Sequence, residues 1–168
     1  MEIQNQINKL KESVKWLLVL FVFCLVVSGV TAFFLHWELS QLAPFSKWLP
    51  GSMQKWFVKV HEAISFNRQQ YPFLAYGTDW LAFAHIVIAV SFYGPIKDPI
   101  RNIWVIQFGL IASLMVFPLA FIAGSLRGIP FFWQLIDCSF GLFGFGLLWL
   151  VLKKVKRMES LLLRRPNN

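Results

Sequence analysis

Charged residues are scarce in this chain of 168 residues. They account for 14% of the sequence, whereas hydrophobic residues account for 57%. A typical soluble domain has about 25% charged residues, so this chain has too few to cover the surface of a water-soluble monomer of its size. Intrinsic disorder is excluded as well, because disordered chains combine low hydrophobicity with high charge.

Cysteines and catalytic signatures are also lacking. The two cysteines, Cys24 and Cys138, are too few for a disulfide framework or a cysteine-rich zinc module, and we expect them to be buried thiols. The hydrolase signatures G-x-S-x-G and H-E-x-x-H are absent, as are a P-loop and a dinucleotide fingerprint. His61-Glu62 is followed by Ser65 where the second histidine would stand. The sequence therefore gives no support for an enzyme of these classes.

Long apolar runs, in contrast, are abundant. A spanning helix needs about 20 mostly apolar residues, and backbone inside a bilayer must be helical. The predicted spans are residues 16–35, 79–96, 102–124 and 131–152. The predicted fold class is all-α, a polytopic membrane protein with four transmembrane helices in a bundle, forming one domain over residues 1–168. The links after spans two and three are short, which predicts that spans two to four are antiparallel neighbours.

The first apolar run, residues 16–35, could alternatively be the core of a cleavable signal peptide. Lys15 precedes it, and Val30-Thr31-Ala32 resembles the small-residue motif of a cleavage site. Signal-peptide cores have about 7–15 apolar residues, fewer than this run. We therefore expect an uncleaved span.

Three short motifs predict where the later spans begin. Asp98-Pro99 has the pattern of an N-cap followed by proline at the first helical position of span three. Thr78-Asp79 has the pattern of a cap for span two, and Gly128-Ile129-Pro130 opens span four.

The distribution of basic residues predicts the orientation, because cytoplasmic connections are enriched in Lys and Arg. Eleven of the 16 basic residues fall on one side: Lys9, Lys11, Lys15, Lys97, Arg101, Lys153, Lys154, Lys156, Arg157, Arg164 and Arg165. The other side has Lys47, Lys55, Lys59, Arg68 and Arg127. Both termini are therefore predicted to be cytoplasmic, with a basic tail over residues 153–168. The same pattern explains the net charge of +8 as attraction to anionic lipid, and we expect no binding of nucleic acid.

The extracytoplasmic connection, residues 36–78, is the one long link. Five large apolar residues recur in it at helical spacing: Met53, Trp56, Phe57, Val60 and Ile64. This pattern, after the start signal Pro50-Gly51-Ser52, predicts an amphipathic helix over Met53–Ile64 that lies in the membrane interface. It would act as a brace or, alternatively, as a lid or docking surface over the bundle.

Polar residues inside the spans predict a common layer, because ionisable groups are rare in membranes unless they are paired or face water. His85 lies seven residues after Thr78, and Asp137 lies seven residues after Pro130. At about 1.5 Å per residue, both would lie about 10 Å below the extracytoplasmic surface. Small residues tend to face neighbouring helices, and each polar residue lies on one side of its helix together with such residues. The three sets are Gly29, Ala32 and His36; Ala82, His85 and Ala89; and Asp137, Gly141 and Gly144. The predicted polar centre is His36, His85 and Asp137, rimmed by Glu38, Asp79 and Arg127.

Two functions remain open for this centre. One is a non-enzymatic scaffold or accessory subunit, partnered by the lipid bilayer and optionally by other membrane subunits, in which the polar layer fixes helix packing and no cofactor is bound. The other is a redox subunit in which His36 and His85 bind haem b, or a transition metal together with Asp137. A proton relay or a site for a polar substrate would use the same groups. The predicted location is a plasma membrane, or an inner membrane if the source is bacterial.

Overall fold

The computed structural model describes residues 2–163, which are largely helical and contain no strand. The prediction of an all-α fold is confirmed. The α-helices are α1 (Glu2–Phe33), α2 (Leu35–Leu42), α3 (Gly51–Gln70), α4 (Tyr76–Ser91), α5 (Tyr93–Lys97), α6 (Ile103–Pro118), α7 (Gly124–Leu126) and α8 (Phe131–Leu163). Two 3₁₀ helices, Ala43–Trp48 and Pro72–Ala75, and one π-helical turn, Leu119–Ala123, connect them.

Four helical segments of the described chain are long and apolar enough to cross a membrane, as the apolar runs predict. They are Glu2–Phe33, Pro72–Lys97, Ile103–Leu126 and Phe131–Leu163. The first has 32 residues and the last has 33, whereas about 20 residues cross the hydrocarbon core. Both helices are therefore longer than a bilayer requires.

The chain divides into two compact units. The terminal unit comprises Met1–Phe23 and Val90–Asn168, and the central unit comprises Cys24–Ala89. The first part of α1 belongs to the terminal unit, and its last part belongs to the central unit.

The core of the terminal unit is built by α1, α6 and α8 together with Phe92. The buried side chains are Val14, Leu18, Phe92, Val105, Ile106, Leu110, Leu148, Val151, Val155 and Met158. The four from α8 are spaced by three and four residues, which places them on one face of the helix. The predicted basic tail is thus helical as far as Leu163 and buries Val155 and Met158, while residues 164–168 lie outside the described range.

Small residues bring α6 and α8 close together. A Cβ atom on Gly141 would lie 2.7 Å from the backbone carbonyl oxygen of Ser113, and one on Gly144 would lie 3.0 Å from the Ser113 hydroxyl. The hydroxyl itself donates a hydrogen bond to the Gly109 carbonyl at 2.8 Å. Only glycine therefore permits this approach of the two backbones.

The predicted start of span three at Asp98-Pro99 is wrong. The Asp98 carboxylate accepts a hydrogen bond from the Arg101 backbone N–H at 3.2 Å, as an N-cap would, but residues 99–102 form an isolated turn and not the start of a helix. The Asn102 side-chain amide donates to the carbonyls of Asp98 and Gly94 at 2.8 and 3.2 Å. With this turn in place, α6 begins at Ile103.

The predicted cap of span two is also wrong, because Thr78 and Asp79 lie inside α4. Helical structure begins earlier, at Pro72, which occupies the first turn of a 3₁₀ helix where its missing N–H is not needed. The Thr78 hydroxyl donates back to the Ala75 carbonyl at 2.6 Å, so it does not cap a helix.

The end of the third span has an irregular helix and a glycine-based stop. Pro118 has no N–H to donate, and a π-helical turn follows it directly. After α7, Gly128 adopts a positive φ of 68°. The Ile129 N–H then bonds to the Gly124 carbonyl at 2.9 Å, a bond that closes a Schellman motif. Span four does begin directly after Gly128-Ile129-Pro130, but the glycine ends α7 and does not cap α8.

In the central unit, the last part of α1 packs closely on α4. A Cβ atom on Gly29 would lie 2.9 Å from the Ala82 carbonyl oxygen and 3.0 Å from Cβ of His85. The remaining helices of this unit, α2 and α3, pack on each other; α2 also packs on the first 3₁₀ helix, and α3 packs on both.

The helix α3 exceeds its prediction at both ends, since it covers Gly51–Gln70 and not only Met53–Ile64. Its five predicted apolar residues are half-buried, so that face contacts protein within the unit.

Candidate binding cavity of the central unit

The break after α1 places a histidine against α3. The helix ends at Phe33, Phe34 leaves the helical conformation with φ −103° and ψ 17°, and α2 begins at Leu35. The side chain of His36 thereby comes from the first turn of α2.

Polar side chains pair α2 with α3 in an antiparallel arrangement. His36 Nε2 lies 3.5 Å from the Ser65 hydroxyl, and the Ser40 hydroxyl lies 3.5 Å from His61 Nε2. The rings of His36 and His61 stack at a centroid distance of 6.4 Å. Because residues four apart share a helix face, one polar stripe on each helix contacts the other.

The shortest contact between the two stripes joins Arg68 to His36. The distance from Arg68 Nη1 to His36 Nδ1 is 2.7 Å. A guanidinium only donates hydrogen bonds, so Nδ1 accepts here and carries no proton. A neutral imidazole then carries its proton on Nε2, the atom that faces Ser65.

This pair opens onto a cavity of about 630 Å³, a size typical of small-molecule sites. Its polar lining residues are His36, Asn67, Arg68, Thr78 and Asp79. Its apolar lining residues are Ala32, Phe33, Phe34, Leu35, Trp37, Ile64, Pro72, Leu74 and Ala75. The cavity is therefore apolar over most of its wall, with one cation and one anion among its few polar groups.

Asp79 is held in the first turn of α4, where a carboxylate interacts favourably with the helix dipole. It is half-buried, and its carboxylate has no hydrogen-bond or ion-pair partner among residues 2–163. Arg68 directs a hydrogen bond to His36. The two opposite charges of the cavity are thus separate and do not neutralise each other in a salt bridge.

The structure brings two predicted site residues, His36 and Asp79, to this cavity. His85 lies elsewhere in the central unit, on the face of α4 that packs on Gly29, and its Nδ1 donates to the Leu81 carbonyl at 2.8 Å. Glu38 is half-buried in the first turn of α2 but does not line the cavity.

The remaining predicted members belong to the terminal unit. Asp137 is half-buried on α8, and Arg127 is exposed at the end of α7. The proposed meeting of His85 with Asp137 joins two different units, and it stays a prediction.

The histidine nitrogens bear directly on the haem and metal alternative. Both ring nitrogens of His36 already have polar neighbours, Arg68 and Ser65, so His36 must lose one contact before it can bind a metal. Of the two ring nitrogens of His85, Nδ1 contacts the Leu81 carbonyl, and Nε2 has no hydrogen-bond partner among residues 2–163. Within residues 2–163, no group of three or more His, Cys, Asp or Glu side chains is arranged to hold a metal ion.

Sequence reasoning missed Arg68, Ser65 and His61 as site residues. Arg68 entered the prediction only as a basic residue outside the membrane, and the predicted helix ended at Ile64. The available signal was the spacing of residues 61, 65 and 68, which lie on one helical face, matched by residues 36 and 40 on the preceding helix.

Among protein-family models, curated proteins and solved structures, none matches this chain.

Proposed function

We propose that this protein is a polytopic membrane protein whose central unit is a non-enzymatic binding module, within a scaffold or accessory subunit of a membrane assembly. The four spans form a bundle, both termini are cytoplasmic, and the connection over residues 36–78, which belongs to the central unit, is extracytoplasmic. The membrane is a plasma membrane, or an inner membrane in a bacterium.

The main support for the proposed binding role is the composition of the cavity lining. The cavity of about 630 Å³ has the Arg68–His36 pair in one wall and Asp79 in the same lining. Apolar walls with a few fixed polar groups are typical of ligand sites.

The geometry of His36 favours binding over catalysis. A general base needs a free nitrogen within hydrogen-bond reach of its substrate. The unprotonated nitrogen of His36 already accepts a hydrogen bond from Arg68, so the imidazole serves to orient the guanidinium.

The direct experiment measures what the protein retains after extraction from its membrane. Native mass spectrometry of the full chain should show a non-protein mass bound to the wild type and lost from Ala75→Trp, which fills the cavity. Ala63→Trp places the same side chain on an exposed position of α3 away from the cavity and should retain the mass. Equal retention by both variants, or no retained mass in the wild type, would contradict the binding role.

A further inference from the structure

We propose that the cavity of the central unit binds the head group of a zwitterionic phospholipid that has a primary amine, with the phosphate at Arg68 and the ammonium at Asp79. This inference rests on the proposed binding role and names the chemical class of the ligand.

The position of the cavity points to a lipid. Its lining comes from the end of one membrane-length segment, at Phe33, and from the beginning of the next, at Pro72. These segments exceed the length that the hydrocarbon core requires, but their apolar runs, residues 16–35 and 79–96, also end in the lining, at Leu35 and Asp79. The ends of apolar runs lie at the boundary between hydrocarbon and head groups. A cavity bounded by both ends is therefore at the depth where phospholipid head groups lie.

The apolar part of the lining fits the remainder of a lipid. Phe34, Trp37 and Leu74 all line the cavity and are all exposed, with 57%, 61% and 52% of their surface accessible. Tryptophan, the residue type of Trp37, is enriched at membrane interfaces. The three side chains provide an apolar path along which acyl chains can leave the cavity towards the bilayer.

The charges of the cavity match a zwitterion. Arg68 is a fork-shaped donor suited to phosphate oxygens, and the contact with His36 orients it. Asp79 is half-buried, without a partner among the described residues, and is therefore available to an ammonium group. An overall neutral ligand with both charges satisfies this lining, whereas a purely anionic one would leave the Asp79 carboxylate uncompensated.

The hydrogen-bond acceptors beside Asp79 determine which zwitterionic head group fits the cavity. A primary ammonium donates three hydrogen bonds and can be shared by the Asp79 carboxylate and the Thr78 hydroxyl oxygen, which lines the same cavity. A quaternary ammonium has no N–H to donate. The phosphoethanolamine head group therefore fits better than phosphocholine or phosphoglycerol.

The test uses the delipidated full chain in detergent, titrated with dihexanoyl phosphatidylethanolamine, phosphatidylcholine and phosphatidylglycerol. Bound fractions are read by native mass spectrometry. The ethanolamine lipid should bind about tenfold more tightly than the other two, since one charge-assisted hydrogen bond distinguishes them. Asp79→Asn should remove this preference, and Arg68→Gln should weaken the binding of all three lipids by about tenfold.

Two controls separate local effects from misfolding. Glu62→Gln and Arg127→Gln remove exposed charges outside the cavity and should leave all three affinities unchanged. Arg68→Lys keeps the positive charge and should retain more binding than Arg68→Gln, at an unchanged unfolding temperature.

The outcomes also separate this inference from the proposed function. If the choline or glycerol lipid binds the wild type as tightly as the ethanolamine lipid, and Ala75→Trp abolishes that binding, the ligand class is wrong but the binding role stands. If no lipid binds and no mass is retained after extraction, both are overturned.

Discussion

His36 and Arg68 are separated by 32 residues along the chain and are joined by a hydrogen bond of 2.7 Å. The bond connects the first turn of α2 to the last turns of α3 and fixes the guanidinium at the cavity wall. Removing the acceptor by His36→Leu should lower the free energy of unfolding by about 1 kcal/mol, because a charge-assisted hydrogen bond is lost. Thermal unfolding in detergent measures this, with Arg127→Leu, an exposed arginine, as the control. An unchanged unfolding temperature for His36→Leu would show that the bond does not stabilise the central unit.

The close approach of α6 and α8 predicts a contrast between two glycines of the same helix. Gly141→Ala places a Cβ atom 2.7 Å from a backbone oxygen of α6, whereas a Cβ atom on Gly146 has no neighbour within 4 Å. We expect Gly141→Ala to destabilise the protein by about 1–3 kcal/mol, because the backbones must separate. Gly146→Ala should be neutral or stabilising, since alanine favours the helix. Equal unfolding temperatures for the two variants would contradict the packing of α6 on α8.

The core shared by α1 and α8 predicts that residues beyond the fourth predicted span contribute to stability. Met158 is 3% exposed and packs in the same cluster as Val14 and Val151. Met158→Ala should lower the free energy of unfolding by about 2–5 kcal/mol. Leu162→Ala, at a position that is 42% exposed, is the matched control and should have a much smaller effect. If both substitutions have equally small effects, the end of α8 does not pack on α1.

The orientation predicted from the distribution of basic residues implies which positions an impermeant thiol reagent should reach. In a background of Cys24→Ala and Cys138→Ala, Gln70→Cys should be labelled in intact cells. Asn5→Cys should be labelled only after permeabilisation, because positive connections remain cytoplasmic. The reverse pattern would invert the topology.

A double-mutant cycle tests the prediction that His85 and Asp137 interact. If the side chains meet, His85→Leu and Asp137→Leu should each destabilise the protein by about 1–3 kcal/mol, because each leaves a polar partner unsatisfied. The double variant should then be more stable than the sum of the two losses predicts. Strictly additive changes in unfolding temperature would show that the two residues do not interact.

The four membrane-length helices could be predicted because hydropathy depends only on composition within one segment. The start of α6 could not be predicted from Asp98-Pro99, since the carboxylate bond to Arg101 has the same geometry in an isolated turn as in a capped helix. The packing of the last part of α8 in the same core as α1 was also missed. The apolar residues at 148, 151, 155 and 158 show the helical spacing, but basic residues between them indicated a tail.

The candidate site was only partly predictable for a related reason. His36 and Asp79 could be singled out because ionisable groups beside a span are unusual. Their actual neighbours depend on the antiparallel register of α2 and α3, which no local pattern specifies. Arg68 reaches His36 only because α3 continues for six residues beyond Ile64. The residues at this end of α3 are mostly polar, so they show no apolar periodicity that would predict the continuation of the helix.

The most direct test of the binding role measures protection of the cavity itself. Ala75→Cys, in the background without native cysteines, places a thiol in the lining, whereas Gln70→Cys lies outside the lining. The rate of reaction with a small water-soluble thiol reagent is measured in delipidated protein, with and without saturating dihexanoyl phosphatidylethanolamine. We predict that the lipid slows the reaction at position 75 by at least about tenfold, the factor expected when about nine-tenths of the sites are occupied, and leaves position 70 unaffected. Equal rates at position 75 with and without lipid would contradict occupancy of the cavity by the ethanolamine lipid.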